Sequence, residues 1–143
     1  MGINSTIEKF GYPASLLREY AHWVLLVRPA QVTLGSLVLA AKGEATAFGA
    51  LPPEAFAEQA AIIAAVEAGL AGFCGYERIN YLMLMMVDPH VHFHVIPRYS
   101  GERWWEGIRF TDSGWPGPPD LKSAMPLDAR QLEKLRNELS RHL

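Results

Sequence analysis

A chain of 143 residues, half of them hydrophobic, is the size of one compact domain with a real core, which excludes two full domains. Its 13 Lys and Arg against 15 Asp and Glu give a formal charge of −2, so there is no electrostatic excess to drive nucleic-acid or acidic-membrane binding. Cys74 is the single cysteine, which excludes an internal disulfide framework and a thiolate zinc cluster and predicts a reducing, cytoplasmic setting.

The N-terminal ten residues carry Glu8 and Lys9 where an export signal needs an apolar core. Gly2 and Thr6 fit the short acylation pattern M-G-x-x-x-[ST], which is set aside because one acyl chain without a basic patch anchors only marginally. Three segments rich in Leu and Val follow, at 15–20, 23–28 and 36–40, and their length and composition predict an antiparallel meander of strands. Pro29 stops the second and Gly35 opens the third. Pro52 and Pro53 then suit a helix entry, and Phe56, Ile63, Val66 and Leu70 recur at helical spacing, so a helix over 54–71 is expected to pack on the sheet. No apolar run reaches the ~18 uninterrupted residues of a membrane helix, because Arg28, Lys42, Glu67 and Arg78 break the longest ones.

The apolar run 79–86 predicts a buried strand, Asp88-Pro89 a turn, and the strict alternation over 90–97 a further strand. Beyond Arg98 the chain turns to Gly, Pro and aromatics and reads as irregular; Trp104, Trp105 and Trp115 either seal a core or interface or cover a site. Leu132, Leu135 and Leu139 restore helical periodicity, with Asp128 and Gln131 as a capping box. Strands grouped around a single main helix, with a C-terminal helix, favour an α+β fold, a single domain over 1–143.

His90, His92 and His94 stand at every second position, which on a strand puts three imidazoles on one face. Three readings are open: a polar surface, a metal site, or histidine chemistry at phosphorus. Same-face neighbours lie about 6.5–7 Å apart, so one zinc ion could take at most two of the three, and no companion motif supplies a third ligand. Neutral imidazole is a good nucleophile toward phosphorus near neutral pH, provided its second nitrogen keeps the proton through a fixed hydrogen bond.

The run His90-Val91-His92-Phe93-His94-Val95-Ile96-Pro97-Arg98 resembles the signature of the histidine triad superfamily, H-φ-H-φ-H-φ-φ, frequently followed by Pro-Arg. The resemblance extends back in order through the strand at Gly35-Ser36-Leu37-Val38 and the helix, covering roughly residues 15–98. It implies an antiparallel sheet with one main helix and a homodimer. It also implies hydrolysis or transfer of nucleoside monophosphates from dinucleoside polyphosphates, phosphoramidates or nucleotidyl sugars, with no metal and no cofactor. By position His92 is the implied nucleophile, His94 the contact to the reacting phosphate, and His90 the residue whose backbone carbonyl holds the His92 ring proton.

Several positions depart from the family pattern. The family's fourth histidine is here Ser36, and its ribose-binding acid, seven residues before the glycine, is here Arg28. A guanidinium only donates and would sooner grip a phosphate or carboxylate, or else turn outward to a surface carboxylate. A Gly-rich phosphate loop is replaced by the apolar run 83–87, followed by the carboxylate of Asp88; Asn80 either supplies a polar contact or merely sits in a strand. Arg28, Ser36, Asn80 and Asp88 are thus the substrate-binding candidates. The expected partner is a small nucleotide or other phosphorylated molecule, with neither nucleic acid nor membrane, and the rival expectation is a domain that binds such an anion without turnover.

Overall fold

A strand in which every residue is apolar needs cover on both faces of its sheet, and β2 (Trp23–Val27) and β4 (Leu37–Ala41) are buried at every position. The computed structural model, which describes residues 2–143, provides that cover from two directions. With β1 (Leu16–Glu19), β5 (Arg78–Leu82) and β6 (His92–Arg98) these strands form one antiparallel sheet in the order β1-β2-β4-β6-β5. The meander predicted for the first three strands is present, and the fold is α+β.

Pleating splits the strands into two faces. Trp23, Leu25, Val27, Leu37, Leu39 and Val95 belong to the larger core, which also takes in residues from α2 (Pro53–Cys74) and α3 (Ala129–Ser140). Pro53 opens α2 where its missing N–H costs nothing, and Gly75 closes it in the left-handed conformation, φ 57°. At 22 residues α2 exceeds the predicted helix; by length and composition it could span a membrane, yet here Ala55, Ile62, Val66 and Leu70 are buried. The buried stripe is rotated from the predicted one, leaving Phe56 39% exposed, because alanine-rich helices carry little amphipathic signal to fix their facing. The predicted Asp128–Gln131 capping box starts α3, whose Leu132, Leu135 and Leu139 are buried.

The second face carries Val24, Leu26, Val38 and Ala40, covered by Ile7 and Phe10 from a short helix that the sequence did not signal, α1 (Ser5–Lys9). Its N-cap residue is Asn4. The Asn4 side chain accepts from the Ile7 N–H at 3.0 Å and donates to the carbonyls of Ala41 and Gly43, at 3.0 and 2.7 Å, tying the N-terminus to the end of β4.

Three further expectations need correction. The strand predicted over 79–86 ends at Leu82, and the strand predicted from His90 begins at His92. The segment read as irregular contains a hairpin of β7 (Glu102–Trp105) and β8 (Ile108–Thr111), and its Met125–Pro126 (β9) pairs with Ala30–Gln31 (β3). The tail is part of the same core, since Trp105, Phe110 and the three leucines of α3 lie in the cluster of the sheet and α2.

A buried ion pair anchors that tail. Arg98 at the end of β6 donates from Nε and Nη2 to the two oxygens of Asp112, at 2.6 and 3.0 Å, from Nη1 to Asn80 Oδ1 at 2.8 Å, and from Nη2 to the Gly117 carbonyl at 2.8 Å. Removing one partner of such a pair leaves an uncompensated charge in the interior. Asp112→Ala is therefore expected to lower stability by about 3–5 kcal/mol in urea unfolding, whereas Glu102→Ala, removing an exposed partner of Arg109, should leave the unfolding midpoint nearly unchanged.

Candidate active site

Strand β6 projects His92 and His94 from the second face of the sheet and Phe93 and Val95 from the first, as a two-residue period requires. The two imidazoles meet edge to face with centroids 5.1 Å apart, and both are almost wholly buried. Phe10, at the C-terminal end of α1, lies 5.6 Å from the His92 ring and 5.5 Å from that of His94. The His92 Nδ1–H donates to the backbone carbonyl of His90 at 2.7 Å, so Nε2 is left with its lone pair.

His90 supplies that carbonyl but not its ring. Because it precedes the strand, its imidazole is engaged by Glu44 and Thr6 and does not line the cleft that the other two open onto. Its Nε2–H donates to Glu44 Oε2 at 3.0 Å, and its Nδ1 is hydrogen-bonded to the Thr6 hydroxyl at 2.9 Å. Thr6, read in the sequence as part of an acylation pattern, is buried beside the triad.

Arg28 follows the last residue of β2 and turns inward. Its Nε–H donates to His94 Nδ1 at 3.4 Å and its Nη1 to the Ala30 carbonyl, and among the described residues no carboxylate pairs with it, so the outward alternative is not what the chain adopts. Burial, then the charge of Arg28, then His92 push the His94 imidazole down to about 4, with Asp88 opposing. Burial also lowers the Arg28 guanidinium from its ordinary value.

A cleft of about 180 Å³ opens onto His92 and His94, walled by Leu84, Met85, Met86, Val87 and Asp88. Met85 holds a left-handed backbone, φ 48°, yet it and Met83 pack against the main core, whereas Met86 and Val87 are more than four-fifths exposed. Asp88 stands in the cleft wall, paired with Lys9 of α1 at 2.8 Å. A neighbouring hollow of about 200 Å³ lies between Lys9, Phe10, Arg28 and Pro29.

The remaining candidates lie elsewhere. The Ser36 hydroxyl is consumed by its own turn, donating to the Thr33 carbonyl at 2.7 Å and accepting from the Thr33 N–H at 3.0 Å, so it is not a substrate contact. Asn80 holds Arg98 and lines a separate cleft with Arg78 and Trp115. Trp105 is buried and donates to Glu138, and Trp104 is exposed; neither lines the histidine cleft. Among the described residues no three His, Cys, Asp or Glu side chains converge as metal ligands. Phe10, Thr6, Lys9 and Glu44 are the site residues that sequence reasoning missed. They lie more than forty positions from the triad, and only the fold brings them near.

No protein-family model and no curated protein matches the chain. Among solved structures it is similar to a histidine triad protein of Sinorhizobium meliloti 1021, 21% identical, with a TM-score of 0.76 over 99% of this chain and 96% of that one. A histidine triad protein of Bradyrhizobium japonicum is 18% identical, with a TM-score of 0.70 over 99% and 96% of the two chains. The diadenosine triphosphate hydrolase of Plasmodium falciparum is 11% identical, with a TM-score of 0.64 over 91% of this chain and 76% of that one. With His92 and His94 side by side on the strand where the sequence motif puts them, the chain has the histidine triad fold.

Proposed function

We propose that the protein is a phosphohydrolase or nucleotidyl transferase acting on a small nucleotide or nucleotide-like substrate through a covalent intermediate on His92. The observation that carries this reading is the 2.7 Å hydrogen bond from His92 Nδ1–H to the His90 carbonyl, which leaves Nε2 unprotonated in a ring that lines the cleft. In the first step the Nε2 lone pair attacks phosphorus, forming a P–N bond as the P–O or P–N bond to the leaving group breaks. In the second, water attacks the same phosphorus, the P–N bond to His92 breaks, and the water proton leaves with the solvent. No metal or cofactor enters either step. His94 faces the same cleft and stabilises the phosphoryl charge, and the similarity to a diadenosine triphosphate hydrolase supports a dinucleoside polyphosphate as a trial substrate.

A second reading has its own support. Ser36 is locked in its turn and loop 83–87 is apolar, so polar groups that could contact a phosphate are few, which suits a domain that binds an anion without turning it over. Intact-protein mass spectrometry after brief incubation with dinucleoside polyphosphates separates the two. The enzyme is expected to carry the nucleotidyl mass on His92, and tight binding with unmodified protein would instead establish the binder. His92→Ala should lower kcat by about four orders of magnitude or more. His94→Ala is expected to cost about 10² to 10⁴, and His90→Ala less, because its carbonyl survives the substitution. Equal losses at all three positions, with stoichiometric bound zinc, would overturn the covalent scheme.

We further propose a cytoplasmic homodimer. The outward face of α2 carries Ala57, Ala60, Ala61, Ala64, Ala65 and Ala68, all exposed and uncharged, beside the half-exposed Phe56 and Phe48. A uniformly apolar helix face of this kind suits burial against a second copy. Light scattering at micromolar concentration should give twice the chain mass for the native protein and the single chain mass for Ala64→Glu; a monomeric native protein would exclude the dimer.

A further inference from the structure

We propose that Arg28 is a positioning residue that fixes His94 as the Nε2–H tautomer, opposite to that of His92, so the pair offers one bare nitrogen and one N–H to the same cleft. Only the catalytic consequence of this rests on the proposed reaction; the hydrogen bond and the tautomer are properties of the folded protein. The two Nδ1 atoms meet partners of opposite kind. That of His92 faces a carbonyl oxygen at 2.7 Å, which can only accept, so the nitrogen carries a proton. That of His94 faces a guanidinium Nε–H at 3.4 Å, which can only donate, so the nitrogen must be the acceptor. A neutral imidazole has one N–H, and on His94 it is left at Nε2.

Most of the surroundings of the ring disfavour the imidazolium. Arg28 meets it from the end of β2, His92 lies on its own strand, and Phe10 covers it from the end of α1. Leu82 of β5 and Val38 of β4 are its apolar register neighbours. The single opposing charge is Asp88, and its carboxylate is already paired with Lys9 at 2.8 Å. Arg28 is itself held in place: its N–H donates to the Ser36 carbonyl at 3.0 Å, its carbonyl accepts from Gln31 Nε2 at 2.6 Å, and its Nη1 donates to the Ala30 carbonyl. The turn that consumes the Ser36 hydroxyl therefore serves to aim the guanidinium.

The tautomer limits what His94 can do. Full transfer of its Nε2 proton would leave an imidazolate, because Arg28 has no proton to surrender to Nδ1 near neutral pH. His94 thus keeps its proton through the cycle as a hydrogen-bond donor to phosphoryl oxygen, and the leaving group takes its proton from solvent. Its neutrality also bears on stability. With the folded-state value pushed down to about 4, the unfolded chain binds a proton at this position first as pH falls below about 6.5, so burial of neutral His94 progressively destabilises the fold between those limits.

The direct test is two-bond ¹H–¹⁵N correlation NMR of the full chain labelled at histidine, titrated from pH 8 to pH 4. Wild-type His94 is expected to show an unprotonated Nδ1 and a protonated Nε2 down to about pH 5. A protonated Nδ1, or titration at the ordinary histidine value of about 6.5, would overturn the proposal. Arg28→Lys should preserve the wild-type pattern, since it keeps a cationic donor. Arg28→Glu puts an acceptor in the same position and should move the proton to Nδ1 or raise the titration to about 6.5 or above; a spectrum unchanged from wild type would again overturn it. The wild-type spectrum decides the tautomer even if a variant fails to fold. Nucleotidylation of His92, followed separately by mass, should fall about 10²-fold in Arg28→Glu and recover to within about tenfold in Arg28→Lys. Absence of any His92 adduct in wild type, beside the expected spectrum, would remove the reaction and leave the tautomer standing.

Discussion

Two imidazoles lie nearly out of water on a sheet face that is otherwise apolar, and the cost of burying unpaired polar nitrogens dictates much of what surrounds them. Each ring has its Nδ1 satisfied from within the protein and its Nε2 left for the cleft. The His90 carbonyl does this for His92 and the Arg28 guanidinium for His94. Burial of the rings depends in turn on α1, a five-residue helix too short to be stable alone, which is pinned to the end of β4 through Asn4. The cap residue Asn4 is thereby connected, through Ile7 and Phe10, to the surroundings of His92 and His94.

The two faces of the same sheet are covered differently. Its first face is closed by α2, α3 and the hairpin of β7 and β8, with Trp23 fully buried and its indole N–H donating to the Ala55 carbonyl at 2.8 Å. Strand β6 belongs to both faces at once. Val95 locks it into the core, while His92 and His94 emerge opposite, so the imidazoles are held by a rigid central strand with backbone pairing on both sides. At its far end Arg98 gathers Asp112, Asn80 and the Gly117 carbonyl, which fixes the course of the Pro-rich tail, whose Trp115 to Pro118 line a separate cleft.

Loop 83–87 gives the cleft its character. Leu84, Met86 and Val87 expose apolar surface beside the half-buried Arg28 guanidinium and two imidazole rings, while the acidic charge of Asp88 is neutralised by Lys9. On the proposed function, complementarity to an anion rests on Arg28 and on the single His94 N–H rather than on a nest of backbone amides. That is a different solution from a Gly-rich phosphate loop, and the left-handed Met85 shows that the loop is shaped at the expense of backbone comfort.

The sequence by itself determined the elements whose period is strict: the strands of the meander, the strand bearing His92 and His94, and the capped helix α3, because alternation and capping chemistry act locally. It also determined that one histidine would have its ring proton held by a backbone carbonyl, through the resemblance of its motif. Tertiary structure alone decided the rest. The facing of α2 was open because alanine marks no side, and the ends of the strands around His90 because a bend in the backbone leaves no compositional trace. Whether Arg28 faced solvent or His94 depended on a turn whose hydrogen bonds run through Gln31 and Ser36. Phe10, Thr6 and Lys9 reach the site only because α1 folds across the sheet, a contact over some eighty residues of chain that no local pattern encodes.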